Sequence, residues 1–270
     1  MLLSMNGLSI YHKKRCIVDK VSLALAYGEW HAVAGESGSG KSVTALSIAG
    51  LLPNELSAEG SIFYEGIDLL TFSHKKMRLL RGKKISYIFQ DYQGSFTPFM
   101  TIGSQFDEML CTHTDLPKKA RQTKALLSLE EVGLPPERTF CSYPFQLSGG
   151  QVQRAAIAMA TMLQPKLIIA DEPTTALDSI TATAVLQLLK KRQSETGCGV
   201  LFITHDLRTV KKYSDTVSVM QYGRIVETGR PHHVLAKPKH EYTKQLVSAL
   251  PPLCNVPVRL GREALKEGLK

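Results

Sequence analysis

Gly35-Glu36-Ser37-Gly38-Ser39-Gly40-Lys41-Ser42 is the stretch of this chain with the most evident chemistry. Glycines at that spacing let the backbone turn with its N–H groups pointed inward, with no Cβ between an amide and an oxyanion. The apolar run 31–34 precedes the loop as a strand and residues 42–49 follow as a helix, whose N-terminus adds partial positive charge. This is the P-loop pattern: Lys41 reaches the β- and γ-phosphates of a nucleotide, and Ser42 offers its hydroxyl to Mg²⁺. Further along, the apolar run 166–170 ends in Asp171-Glu172-Pro173. It reads as a buried parallel strand that delivers two carboxylates to the edge of a sheet.

A second motif, Leu147-Ser148-Gly149-Gly150-Gln151, lies downstream of the P-loop. The two in this order resemble the ATP-binding-cassette (ABC) family, in which each motif grips the same ATP from a different subunit. The resemblance implies an α/β fold of the ABC-type P-loop NTPases. That fold has a RecA-like core with a parallel sheet, an antiparallel β subdomain and an inserted α-helical signature subdomain. It further implies that Asp171 holds Mg²⁺ and that Glu172 is the general base that polarises the attacking water. Gln90, after the strand-like run 84–89, looks like the glutamine that ligates Mg²⁺ or its water. His205, in Phe202-Ile-Thr-His-Asp, looks like the switch histidine that contacts the γ-phosphate. Asp178 looks like the residue that crosses the dimer interface. Ser148, Gly149, Gly150 and Gln151 complete the partner's site. Tyr11 resembles the aromatic that stacks on adenine, and an ordinary core tyrosine is the other reading there.

The elements that position these residues follow in order. Strand-like runs surround the P-loop helix over residues 1–92. Helical patterns occupy 102–109, 118–132 and 151–163, so that a helical subdomain spans about 93–160. Ser148 is the expected N-cap of the last helix, with Gln151 in its first turn. Residues 165–225 alternate strand and helix, the mark of a parallel sheet with crossover helices. The expected division is an ATPase domain over 1–228 and a helical tail over 229–270, punctuated by Pro238, Pro251 and Pro252. The two motifs occur once each, so the chain carries one cassette.

Composition narrows the class. With 270 residues, 43% hydrophobic and 21% charged, the chain has ordinary globular make-up. Five scattered cysteines, Cys16, Cys111, Cys141, Cys198 and Cys254, form no CxxC pair, which argues for reduced thiols and against a metal or disulfide framework. No run approaches 18 apolar residues, so other chains must supply any pore. The net charge of +9 comes from clusters such as Lys13-Lys14-Arg15 and Lys190-Lys191-Arg192. It reads as a solvated basic face without a nucleic-acid motif, and it also suits an anionic membrane surface.

Lys239-His-Glu-Tyr-Thr-Lys-Gln-Leu-Val-Ser-Ala-Leu-Pro251 is similar to the ending of the oligopeptide/dipeptide/nickel importer ATPases, as are Ser142-Tyr-Pro-Phe-Gln-Leu and Phe99-Met-Thr-Ile-Gly. That branch implies the energy-coupling subunit of an importer for peptides, nickel or metal chelates. It would bind ATP and Mg²⁺ at the cytoplasmic face of the inner membrane, as a peripheral subunit. Its partners would be a second, non-identical ABC ATPase, two transmembrane permease subunits and, indirectly, an extracytoplasmic substrate-binding protein. Glu241 stands where the branch usually has proline, and Asp91-Tyr92-Gln93-Gly94 replaces a more usual Asp-Pro start. With Cys254 alone near the end, no iron–sulfur cluster is expected. An exporter subunit is the closer alternative. A nucleic-acid-associated ABC ATPase is the remoter one, since Ser42 and Ser148 lie too close for a long coiled-coil insertion. The segment 91–102 carries Tyr92, Phe96, Pro98 and Phe99, which read as exposed anchors for a membrane partner, with a packed surface loop as the other reading.

Overall fold

The computed structural model describes residues 1–175 and 177–249. The last part of the tail, with Pro251, Pro252 and Cys254, lies outside the described residues. Strands β1 (Leu3–His12), β2 (Arg15–Leu25), β4 (Leu56–Tyr64) and β5 (Ile67–Asp68) form one antiparallel sheet in the order β2-β1-β4-β5. The second sheet has the order β10-β9-β3-β8-β7-β6. It is built from β3 (Trp30–Ala34), β6 (Ile85–Ile88), β7 (Leu167–Asp171), β8 (Gly199–Thr204), β9 (Thr216–Gln221) and β10 (Arg224–Gly229). Its strands run parallel except β10, which returns antiparallel on β9.

The helices are α1 (Lys41–Ile48), α2 (His74–Leu80), α3 (Ile102–His113), α4 (Lys118–Glu131), α5 (Pro136–Cys141), α6 (Gly149–Thr161), α7 (Ser179–Thr196), α8 (Leu207–Tyr213), α9 (Pro231–Ala236) and α10 (Glu241–Ser248). The helices read from periodicity over 102–109, 118–132 and 151–163 are α3, α4 and α6, with α3 running further and α6 starting earlier. α6 starts two residues early because its cap reaches back: the Gln151 amide donates to Ser148 Oγ, and the Ser148 amide to Gln151 Oε1. The short helices α2 and α5 went unread, because six or seven residues carry too little periodicity.

The parallel sheet is buried on both faces, and side-chain alternation divides it cleanly. Val33, Leu167, Ile169, Leu201 and Ile203 point toward the antiparallel sheet and α1, where Leu3, Met5, Ile10 and Ile62 meet them. Ala32, Ala34, Ile168, Ala170, Val200 and Phe202 point the other way, against Val185 and Leu189 of α7, Val210 of α8, Val234 of α9 and Tyr242 of α10. A third cluster joins α3, α4 and α6 through Ile102, Phe106, Leu129, Val152 and Ala155.

Phe96 belongs to that third cluster and is 4% exposed, so it is not the surface anchor that its loop position implied. Phe99, 87% exposed, is. Tyr92 is half-buried and Pro98 exposed.

Candidate nucleotide site

Parallel strands place their C-terminal ends side by side, so the loops that leave them converge. The register pairs Ala34 with Thr204, Asp171 with Ile203 and Ile88 with Ala170. The residues that follow each strand (Gly35 after β3, Glu172 after β7, His205 after β8, Gln90 after β6) therefore meet at one edge.

Gly35 leaves β3 so close to β9 that a Cβ on it would stand 2.2 Å from the Met220 carbonyl oxygen. Only glycine fits there. At the far end of the loop Gly40 caps α1 with no side-chain hydrogen bond, which leaves the first amides of the helix for an anion. Lys41 is 5% exposed, and its ammonium donates to the carbonyls of Gly35 at 2.8 Å and Glu36 at 2.7 Å and reaches Ser39 Oγ at 3.4 Å. Burial lowers its pKa, opposed by the carboxylates of Glu172, Asp171 and Glu36. Ser39 is buried, whereas Glu36, Ser37 and Gly38 are exposed at the loop's crest.

Ser42 and Tyr87 donate their hydroxyls to the two oxygens of Asp171, at 3.0 and 2.9 Å. Burial holds the Asp171 carboxyl above its ordinary range, the two hydroxyls pull it down, and neighbouring Glu172 pushes it up again. Glu172 sits at φ +44°, in the left-handed region that costs a non-glycine residue about 1–3 kcal/mol. Its amide still bonds Ile203 O at 3.0 Å, so the strand pairing continues while the side chain turns out of the sheet. Three groups hold that carboxylate. Thr175 Oγ1 donates to Oε2 at 2.9 Å, Gln90 Nε2 reaches the same oxygen at 3.4 Å, and His205 Nδ1 lies 3.3 Å from Oε1. The His205 side chain is 57% exposed and that of Glu172 10%, so the histidine closes the outer side of a sheltered acid.

Lys41, Ser42, Gln90, Asp171, Glu172 and His205 thus form one constellation. The other sequence-marked residues lie around it. Tyr11, half-buried near the end of β1, pairs with Cys16, and the carbonyl of the adjacent Ile17 lies 3.4 Å from where a Gly40 Cβ would stand. The strand paired with it, β2, therefore borders the P-loop, and Tyr11 is not among the buried core side chains. Asp178 caps α7, accepting from the amides of Ile180 at 3.0 Å and Thr181 at 3.1 Å. Ser148 and Gln151 bond each other at the head of α6. A Cβ on Gly149 would stand 2.5 Å from Tyr92 Oη, and one on Gly150 3.4 Å from Leu177 Cδ2. The signature residues thus adjoin the segments that follow Gln90 and Glu172. Gln153, one turn further along α6, donates from its side chain to the Pro173 carbonyl.

Tyr87, Thr175 and Gln153 were not read from the sequence. Tyr87 had a faint signal, as the single aromatic hydroxyl on a short strand leading to Gln90. Thr175 acts within the turn that follows Glu172, three residues on, and Gln153 through a contact that spacing does not encode.

Residues 18–175 match the family described as ABC transporter. This chain belongs to the ABC transporter family. The cassette is 44% identical over 257 residues to the peptidoglycan transport ATP-binding protein YejF of Agrobacterium fabrum, covering 93% of this chain and 47% of that one. It is 44% identical to the oligopeptide transport ATP-binding protein OppD of Bacillus subtilis, with 86% of this chain and 66% of the relative covered. It is 41% identical to the metal-staphylopine import system ATP-binding protein CntD of Staphylococcus aureus, with 86% of each covered. The cassette thus spans about half the length of the first of these and most of the third. Among solved structures it resembles the dimeric post-hydrolysis state of the cassette MJ0796 bound to ADP and phosphate. There the TM-score is 0.77 at 30% identity, over 85% of this chain and 99% of that one. The fold is that of the ABC ATPases. Among the described residues, no helix is long and apolar enough to cross a membrane.

Proposed function

We propose that this cassette is the ATP-hydrolysing subunit of an ABC importer for peptides or metal–chelate complexes, acting at the cytoplasmic face of the membrane. The observation that carries the reading is the grip of Thr175, Gln90 and His205 on the Glu172 carboxylate, beside the Ser42–Asp171 pair and the Lys41 loop. The importer assignment draws on the relatives, whose names describe oligopeptide and metal-staphylopine transport.

Lys41 now bonds its own loop's carbonyls. With ATP in the loop it exchanges them for phosphate oxygens, and the amides of α1 receive the same charge. The Ser42–Asp171 pair fits Mg²⁺: its donors are hard oxygens, and a buried carboxylate that two hydroxyls and the nearby Lys41 charge leave above its ordinary pKa gains from a further cation. Bound there, the ion would neutralise phosphate charge. Glu172 orients a water and takes its proton as the water oxygen bonds the γ-phosphorus and the β–γ bridge oxygen leaves with ADP. His205 and Gln90 fix the carboxylate's direction. The signature residues Ser148 to Gln151 close the site of a second, non-identical cassette, Asp178 lies at the seam, and Tyr11 faces the adenine. Two permease subunits and, through them, a binding protein complete the assembly, with no nucleic acid.

The test separates binding from chemistry. Lys41→Ala should lose nucleotide affinity. Glu172→Gln should retain it and lose turnover by about 10²–10⁴-fold, the scale of a general base. Hydrolysis by Glu172→Gln at the wild-type rate in the assembled complex would remove Glu172 from its role.

A further inference from the structure

Tyr242, in the tail, is bonded to the P-loop. Its hydroxyl accepts a hydrogen bond from the Glu36 amide at 2.9 Å, across 206 positions of sequence. The ring is 5% exposed and packs in the cluster behind the parallel sheet with Trp30 and Val234. The tail arrives there on a fixed path. Glu227 of β10 accepts from the amides of Lys239 at 3.0 Å and His240 at 3.1 Å, and His240 Nδ1 accepts from the Tyr242 amide to cap α10. A strand of the sheet thereby sets where the hydroxyl stands.

The bond falls on a peptide with a second duty. The Gly35 and Glu36 carbonyls flanking that amide are the two that Lys41 grips. The Gly35 side has no room to shift, with the Met220 carbonyl against it. The Glu36 N–H is drawn outward to Tyr242, so the carbonyls on either side are held toward Lys41.

We propose that Tyr242 is a positioning residue for ATP binding: its hydroxyl fixes the entry of the P-loop from outside, so that the carboxy-terminal segment sets nucleotide affinity without touching nucleotide. The proposal rests on the P-loop being the ATP site. Glu172 and its partners lie on other strands, so affinity should move and the chemical step should not.

Titration of the full chain with a fluorescent ATP analogue and Mg²⁺ tests this. Tyr242→Phe keeps the ring and removes one neutral hydrogen bond, and it should raise Kd by about three- to tenfold. In the assembled complex KM should rise with kcat unchanged, and the Glu36 amide should exchange faster with deuterium. Tyr242→Leu should raise Kd equally and also lower the melting midpoint, which Tyr242→Phe should leave nearly unmoved. Wild-type Kd in Tyr242→Phe, or affinity lost only in Tyr242→Leu in step with its melting, would overturn the proposal. So would a fall in kcat at unchanged KM. Lys41→Ala in the same titration tells the two readings apart. If it loses binding while Tyr242→Phe does not, the positioning role alone fails; if neither loses it, the P-loop reading has failed.

Discussion

Ser42 and Asp171 stand 129 positions apart in sequence, yet a 3.0 Å hydrogen bond joins the head of α1 to the end of β7. The bond puts a carboxylate into a buried place, and burial raises its pKa more than the hydroxyls of Tyr87 and Ser42 and the charge of Lys41 lower it. A folded-state pKa above the unfolded value contributes stability at low pH and loses it as pH rises through the folded value. At neutral pH the ionised Asp171 is therefore a cost to the nucleotide-free fold. Asp171→Asn should raise the melting midpoint of the free protein by about 2–4 °C, the size of a roughly 1 kcal/mol change in a chain of this length. It should also abolish the extra stability conferred by ATP with Mg²⁺. Calorimetry with and without MgATP checks both; a variant that melts lower when free and still responds fully to MgATP contradicts the account.

His31 makes an opposite pH dependence. Its Nδ1 lies 3.1 Å from the Ala24 carbonyl, which can only accept, so Nδ1 carries the proton and Nε2 accepts from Ser218 Oγ at 2.9 Å. Thr228 then donates to Ser218 at 3.0 Å. Burial lowers the His31 pKa, with Glu29 and the Ala24 carbonyl opposing. A depressed folded-state pKa gives stability that is present above the unfolded value near 6.5 and lost as pH falls through the folded one. Unfolding free energies from urea titrations should therefore drop between pH 7 and pH 5, by up to about 1.4 kcal/mol per pH unit from this group. His31→Gln should flatten that slope; equal slopes in both proteins would place the dependence elsewhere.

The parts of the site that were legible in sequence are those that short spacing encodes. A loop between one strand and one helix fixed Gly35 to Ser42, and an apolar run ending in acids placed Asp171 and Glu172. The capping pattern of Ser148 and Gln151 likewise needs only four residues. Thr175 bonds Glu172 locally, from three residues on in the same turn. What sequence did not show was each group's partner from a distant element, Tyr87 of β6 on Asp171 and Tyr242 of α10 on Glu36. Strand order decides those meetings, and β3 lying between β8 and β9 is a tertiary result. Phe96 misled because a loop position says nothing of the helices folded over it.

The head of α6 bears on assembly. Ser148 and Gln151 cap each other, Gly149 rests against the Tyr92 hydroxyl, and Leu177 lies beside Gly150. A long cation at Ser148 would break the cap and fill the face proposed to meet a partner's phosphates. Ser148→Arg should leave ATP binding by the single cassette intact and abolish its ATP-driven pairing with the partner cassette. Sedimentation of the two together with and without ATP reads this directly, and pairing that survives the change would refute the sandwich arrangement.

The proposed link to membrane subunits is best tested at Phe99. It follows Gln90 on the segment leading to α3, so it lies between the group that touches Glu172 and the helices bearing the signature. At 87% exposure it has almost nothing to lose in folding. Phe96 is a poor probe, because its ring fills the helical cluster and truncation to alanine would cost about 3–5 kcal/mol in its own right. An exposed aromatic anchor commonly carries much of an interface's binding energy, with neighbours contributing little. Phe99→Ala should therefore keep the melting midpoint, ATP affinity and Glu172-dependent hydrolysis. It should lower the cargo moved per ATP, or release the permease subunits on purification. Coupling requires two states with different contacts to the partner, and losing one anchor weakens their difference while leaving the chemistry in place. Vesicles containing Phe99→Ala that transport at the normal ratio to ATP consumed would show that this ring takes no part in coupling.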